Sequence, residues 1–179
     1  RRRVQFVLCY GRADVPGRLD EGRYPVVKLG DDVLRPVAAP NASGQPLFEL
    51  ERSTVLPILD YSDASGLGRI LRARLPARFA EPKGGAGPGL SIVFTAHNAF
   101  MLKTMALAGR GVAWLPDSLV ADELRTCQLV PAGGDGWLVP VEVRLYRQNA
   151  QMAPTAEALW QVVGGRAAGD TNGSFGPQS

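Results

Sequence analysis

The sequence predicts an α/β fold, and three observations predict it. Short apolar runs of strand length alternate with segments of helical periodicity along most of the chain. Those runs carry β-branched and aromatic residues and stop at Gly, Pro or Asp. One unbroken unit, residues 95–116, reads as a polar helix start, an amphipathic helix, a glycine stop, a short strand and a terminating proline. In that unit Asn98 or Thr95 can cap the helix by accepting from its free backbone N–H groups. Met101, Leu102, Met105 and Ala108 recur at helical spacing and define one apolar face. Gly109 and Gly111 bracket Arg110 where the chain reverses, and residues 112–115 have the character of a central strand.

The remaining elements follow in order. Residues 4–10 form a nearly continuous apolar strand, followed by a loop at 11–24 rich in Gly, Pro and charge. Residues 26–29 and 33–37 read as two strands broken by a turn at Gly30, Asp31 and Asp32. Residues 40–46 resemble a linker. A strand at 56–61 leads to Ser62 or Asp63, either of which can cap a helix over 64–75. Arg69, Arg72 and Arg74 make one side of that helix basic, and Pro76 follows its end. Residues 81–89 are a Pro/Gly loop, and 90–94 is the strand feeding the unit at 95–116. In the stretch 138–146, Val139, Val141, Val143 and Leu145 alternate with Pro140, Glu142 and Arg144, which predicts a half-buried strand. Pro154 opens a closing helix carrying Ala156, Leu159, Trp160 and Val163 at helical spacing. The small, polar, glycine-rich stretch at 168–179 predicts a disordered tail.

Bulk properties narrow the classes. A chain of 179 residues, 45% hydrophobic and 21% charged, is a soluble globular protein with a real core. The formal charge is +3, and Arg1, Arg2 and Arg3 crowd at one end. A solvated basic terminus explains them better than a nucleic-acid-binding arm. Cys9 and Cys127 are too few for a disulfide scaffold, which points to the cytoplasm. No apolar run reaches bilayer length and no signal peptide is evident, so no membrane partner is expected.

The run Ala-Gly-Arg-Gly-Val-Ala-Trp-Leu-Pro at 108–116 follows a helix and precedes a short helical stretch at 117–124. Leu129 and Val130 come next. This order and spacing resembles the effector-binding domain of LysR-type transcriptional regulators. The likeness extends over residues 4–165, from the first strand through the strand at 138–146 to the closing helix. The resemblance implies two Rossmann-like lobes of the periplasmic-binding-protein type II plan. Residues 1–37 would be a partial first lobe, 38–147 the second lobe, and 148–167 a return helix to the first. It further implies a small-molecule effector held in an inter-lobe cleft, and self-association as a dimer or tetramer. DNA would be contacted only through a helix-turn-helix domain that the sequence lacks. The family's opening strand and helix also have no counterpart, so the first lobe is expected to be incomplete and to expose an edge and apolar surface. A periplasmic-type solute-binding protein and a non-functional regulator fragment are the alternatives.

Catalysis has little support. His97 is the one histidine, no Gly-x-Ser-x-Gly elbow is present, and one His with two distant Cys matches no metal-ligand spacing. The glycines at 84–89 include Pro88 and lack a following Lys-Ser/Thr, so they do not cradle phosphate. The expectation is a non-enzyme with no metal and no cofactor. Ligands in α/β proteins sit at the carboxyl ends of strands, beside helix N-termini. Tyr10 and Gly11, then Tyr61 and Ser62, then Thr95, His97 and Asn98 occupy such places and form the candidate effector set. Plain helix capping is the competing reading for Ser62 and Asn98. Met101 and Met105, one turn apart, can fill core or act as oxidant sensors, because sulfoxide formation turns an apolar side chain polar.

Overall fold

A computed structural model describes residues 5–21, 23–75 and 89–169. The chain divides into two compact units, residues 1–31 with 142–179 and residues 32–141. The divisions fall inside continuous strands, a few residues before the crossings expected from the sequence. The expected tail lies outside the described residues, apart from the end of the closing helix.

Unit 1 is built on β1 (Phe6–Gly11), which pairs antiparallel with the later half of β7 (Val139–Arg147), Phe6 opposite Arg147 and Gly11 opposite Glu142. A short helix, α1 (Arg18–Glu21), follows β1, and α5 (Pro154–Gly169) closes the chain. The alternation expected along β7 holds through Val139 and Val141 and then fails. Tyr146 is buried, whereas Val143 and Leu145 are only partly covered. The α5 face is likewise thinner than its periodicity suggests: Ala156 is buried, Leu159 half exposed.

An ion pair ties the end of β7 to α5 in unit 1. The Arg147 guanidinium holds the Glu157 carboxylate with two parallel bonds of 2.7 Å, and the Met152 N–H donates to the same carboxylate at 3.0 Å. Arg147 also lies over the Trp160 ring, 5.5 Å from its centroid, and Phe6 stacks on that ring at 6.3 Å. The bidentate bond from Arg147, then the Met152 N–H, bring the Glu157 pKa from the ordinary 4.5 down to about 2.

Unit 2 carries most of the apolar core. Its first element is the second half of β2 (Val26–Ala38), a single strand of 13 residues. The turn expected at Gly30, Asp31 and Asp32 is therefore absent. Neither Gly30 nor either aspartate adopts a positive φ, and the Asp32 carboxylate bonds Ser118 as well as the adjacent Val33 N–H. β2 pairs antiparallel with β5 (Ala113–Pro116), Leu34 opposite Pro116, and with β6 (Val130–Pro131). A second sheet joins β3 (Val55–Tyr61) and β4 (Gly89–Ala96) in parallel, with a register shift between Ile58 and Leu59. The helices are α2 (Gly66–Arg74), α3 (Ala99–Leu107) and α4 (Asp117–Arg125). Leu34, Leu56, Leu102, Val112, Leu115 and Val120 are fully buried, and Trp114 is 2% exposed.

Two glycines in unit 2 have distinct physical jobs. Gly109 (φ +73°) ends α3: its N–H donates to the Ala106 carbonyl and the Arg110 N–H to the Met105 carbonyl, the paired bonds of a Schellman motif. Gly111 has no unusual φ. A Cβ there would stand 2.6 Å from the Pro57 carbonyl oxygen, because β3 and the 112 backbone exchange hydrogen bonds at that point.

Candidate functional site

The parallel pairing of β3 and β4 is what builds the candidate site. Its last partners are Tyr61 and Ala96, so the two strands end level with one another. Ser62 and His97 are the next residues on each. The Ser62 N–H donates to the Ala96 carbonyl at 2.9 Å, and Ser62 Oγ lies 3.3 Å from His97 Nδ1. Helices follow directly on both strands. The Asn98 side chain caps α3 by accepting from the Met101 N–H at 2.9 Å, as the sequence suggests. The α2 cap differs from expectation: Ser65, not Ser62 or Asp63, accepts from the Gly68 N–H. Ser62 is thereby left to His97, and Asp63 pairs with Arg72 at 3.0 Å. Arg72 also donates to the Tyr61 carbonyl at 3.1 Å, which fixes the turn between β3 and α2.

Four of the sequence candidates thus stand together at this edge: Ser62, Thr95, His97 and Asn98. Thr95 is exposed opposite Asp60, and its hydroxyl makes no hydrogen bond among the described residues. Tyr61 does not join them. Its ring is buried, 1% exposed, and its hydroxyl donates to the Trp114 carbonyl at 2.7 Å. The strand alternation that sends Ser62 outward sends Tyr61 into the core, and a phenol there needs a buried acceptor. Tyr10 and Gly11 lie in unit 1, opposite Val143 and Glu142. The Arg144 side chain crosses Gly11 so closely that a Cβ would stand 2.8 Å from it.

The α3 face also differs from its prediction. Leu102 and Ala106 are its buried residues; Met101 is 47% exposed, Met105 partly covered and Ala108 exposed. The buried stripe is narrower and turned toward Lys103, which bonds Glu123 of α4 at 2.5 Å and donates to the Leu119 carbonyl at 3.0 Å. The hydrogen bond from Lys103 holds the Glu123 carboxyl below the usual carboxylate range. Among the described residues, no group of three or more His, Cys, Asp or Glu is placed to hold a metal ion, and no helix is long and apolar enough to cross a membrane.

A parallel strand pair opening onto two helix N-termini, with hydroxyls, an imidazole and an amide at its edge, is the kind of place where α/β folds hold ligands. The family model of the LysR substrate binding domain matches residues 1–168. The chain belongs to that family and is a LysR-type effector-binding domain of the periplasmic-binding-protein type II plan. It is 33% identical over 141 residues, 79% of its length and 55% of the relative's, to an HTH domain-truncated transcriptional regulator, QseD, of Escherichia coli O157:H7. The full-length structure of HypT from Salmonella typhimurium, described as a hypochlorite-specific LysR-type transcriptional regulator, superposes with a TM-score of 0.73 at 27% identity, covering 92% of this chain and 52% of that one. A bromide-bound regulatory domain of HypT superposes with a TM-score of 0.72 at 27% identity, over 92% of this chain and 73% of that one. The chain spans about half the length of the curated relatives it matches.

Proposed function

We propose that unit 2 receives a small anionic or polar effector at the shared carboxyl edge of β3 and β4, where Ser62, Thr95, His97 and Asn98 meet. The observation that carries this reading is the Ser62–His97 contact at 3.3 Å, which gathers groups from two strand ends in front of the α3 N-terminus. Free N–H groups and the helix dipole favour negative charge there. The bromide held by the HypT regulatory domain is in keeping with an anion. Tyr10 and Gly11 are candidate effector contacts of unit 1. The role is recognition and not catalysis: effector binding shifts a population of conformations, and a DNA-binding region elsewhere in a dimeric or tetrameric cytoplasmic regulator reads the shift.

The test is a thermal-shift titration of the chain with bromide, chloride, small organic acids and amino acids. Binding to the folded state alone raises Tm with ligand concentration. The expected result is a saturable rise for at least one anion, lost in Thr95→Ala. A rise unaffected by Thr95→Ala and Ser62→Ala would remove the site from this edge.

A second reading has its own observation. Met101 is half exposed beside this edge, where an oxidant can reach it, and sulfoxide formation would alter the α3 surface. The description of HypT as hypochlorite-specific is in keeping with that chemistry. Peptide mass spectrometry after mild hypochlorite should find Met101 oxidised first, Met105 next and the buried Met152 last. Equal or reversed order sinks the reading.

A further inference from the structure

The start of α4 is capped from a distant strand. Its own N-cap residue is Pro116, which offers no side-chain acceptor. The Asp32 carboxylate of β2 takes that place. It accepts from the Ser118 N–H at 3.3 Å and from the Ser118 hydroxyl in a short contact, while the Val33 N–H donates to it at 2.8 Å. Asp32 is buried, only 9% exposed. Three residues further along the same strand, Arg35 grips the Asp117 carboxylate with bonds of 2.8 and 3.1 Å. The strand thus presents an acid and a base to two consecutive residues of the helix, a donor and an acid.

The register explains the arrangement. β2 and β5 are antiparallel with Leu34 opposite Pro116, and β5 runs straight into α4. Residues just before Leu34 therefore lie beyond the end of β5, where the free N–H groups of α4 emerge. Asp32 is also the first residue after the division between the two units within β2.

We propose that Asp32 and Ser118, seconded by Arg35 and Asp117, form a latch that couples β2, at the point where the chain enters unit 2, to the first turn of α4. Displacement of β2 there removes the α4 cap, and loosening of α4 releases the strand. Asp32 is a positioning residue in this device. It acts through the helix start, not on a ligand.

Hydrogen exchange on the whole chain tests the latch, because coupling between two segments is reciprocal. Asp32→Ala should speed exchange of the first-turn amides of α4 by about tenfold or more, and leave the α3 amides near their starting rates. Ser118→Ala, which keeps the backbone donor and a folded chain, should speed exchange at Val33 in β2. The two substitutions together should add little beyond Asp32→Ala. Three results would overturn the proposal. They are equal acceleration in α3 and α4, a Val33 amide indifferent to Ser118→Ala, and full additivity of the two variants.

Discussion

The two units are held together by different physics. In unit 2, large apolar side chains from β2, β3, β5, α3 and α4 are buried to within a few per cent, with Trp114 and Leu115 among them. In unit 1 the buried apolar residues are fewer among the described residues: Val15, Tyr146, Met152 and Ala156. What organises α5 there is a bidentate ion pair with an aromatic ring beneath it. Hydrophobic burial is indifferent to pH, whereas a paired carboxylate is not. Unit 2 has a depressed carboxylate of its own in Glu123, but the Glu157 shift in unit 1 is the large one, so the contrast predicts that unit 2 answers chiefly to deletions of volume and unit 1 more strongly to protons.

The largest effect should come from the unit 2 core. Trp114→Ala removes the most voluminous fully buried side chain among the described residues, and with it the indole N–H bond to the Trp137 carbonyl and the edge contact with the Trp137 ring. Large-to-small changes of this kind cost about 3–5 kcal/mol. Urea unfolding followed by circular dichroism should show the midpoint falling accordingly. A loss below about 1 kcal/mol would mean that the core is not where unit 2 keeps its stability.

The acid response of unit 1 sharpens the same comparison. Glu157 is held at about 2 in the folded chain against an ordinary 4.5. Since the folded value is the lower one, the stabilisation is whole above about 4.5 and is lost as pH falls toward about 2. In two-dimensional NMR spectra taken down that range, unit 1 resonances should weaken before those of unit 2. Glu157→Gln should remove most of the pH dependence and leave unit 1 weakened at every pH. Simultaneous loss of both units in the wild-type chain would show that they unfold as one.

How legible these features were in the sequence depends on how local their causes are. Most of the strand and helix order, the Asn98 cap and the Gly109 stop follow from residues within a few positions of one another and are read from the sequence; the unbroken β2 and the short α1 inside the expected loop at 11–24 are not. The resemblance to LysR effector domains added the two-lobe plan, which periodicity alone does not contain. The Ser62–His97 contact needs the parallel register of β3 and β4. The Asp32 cap depends on an antiparallel pairing with a strand some 80 residues later. Asp32 looked like a turn residue because Gly-Asp-Asp usually is one, and its long-range partner overrode that tendency. Met101 and Met105 looked like core because periodicity reveals an apolar stripe but not which part of it the neighbouring elements cover.

Smaller effects separate helix ends that use different chemistry. α3 stops at Gly109, but α4 stops at Cys127, which adopts φ +57°. The Cys127 N–H donates to the Leu124 carbonyl and the Gln128 N–H to the Glu123 carbonyl, the same paired bonds as at Gly109. A side chain in the left-handed region is strained where glycine is not. Cys127→Gly should therefore stabilise the chain by about 1 kcal/mol, read as a rise in urea midpoint, and Gly109→Ala should destabilise it by a comparable amount. Nothing in a sequence marks a cysteine for such a position. An unchanged midpoint in both variants would show that neither helix end limits stability.

The most delicate prediction separates capping from ligand contact at Asn98. Both roles use the same side chain, so deleting it answers neither question. Asn98→Ala should lower stability by about 1 kcal/mol through the lost bond to the Met101 N–H, and any drop in effector affinity would be ambiguous. Asn98→Asp keeps a good cap and adds negative charge at the helix N-terminus, which stabilises α3 or leaves it unchanged. An anionic effector in front of that terminus would then meet a like charge. The expected outcome is an unaltered or higher Tm without ligand, and an anion-dependent rise in Tm that is reduced or gone. If the anion response survives intact in Asn98→Asp, Asn98 is a cap and nothing more, and the effector contacts must be sought among Ser62, Thr95 and His97. If both the Tm and the response fall, the cap is sensitive to charge in a way the simple dipole argument misses.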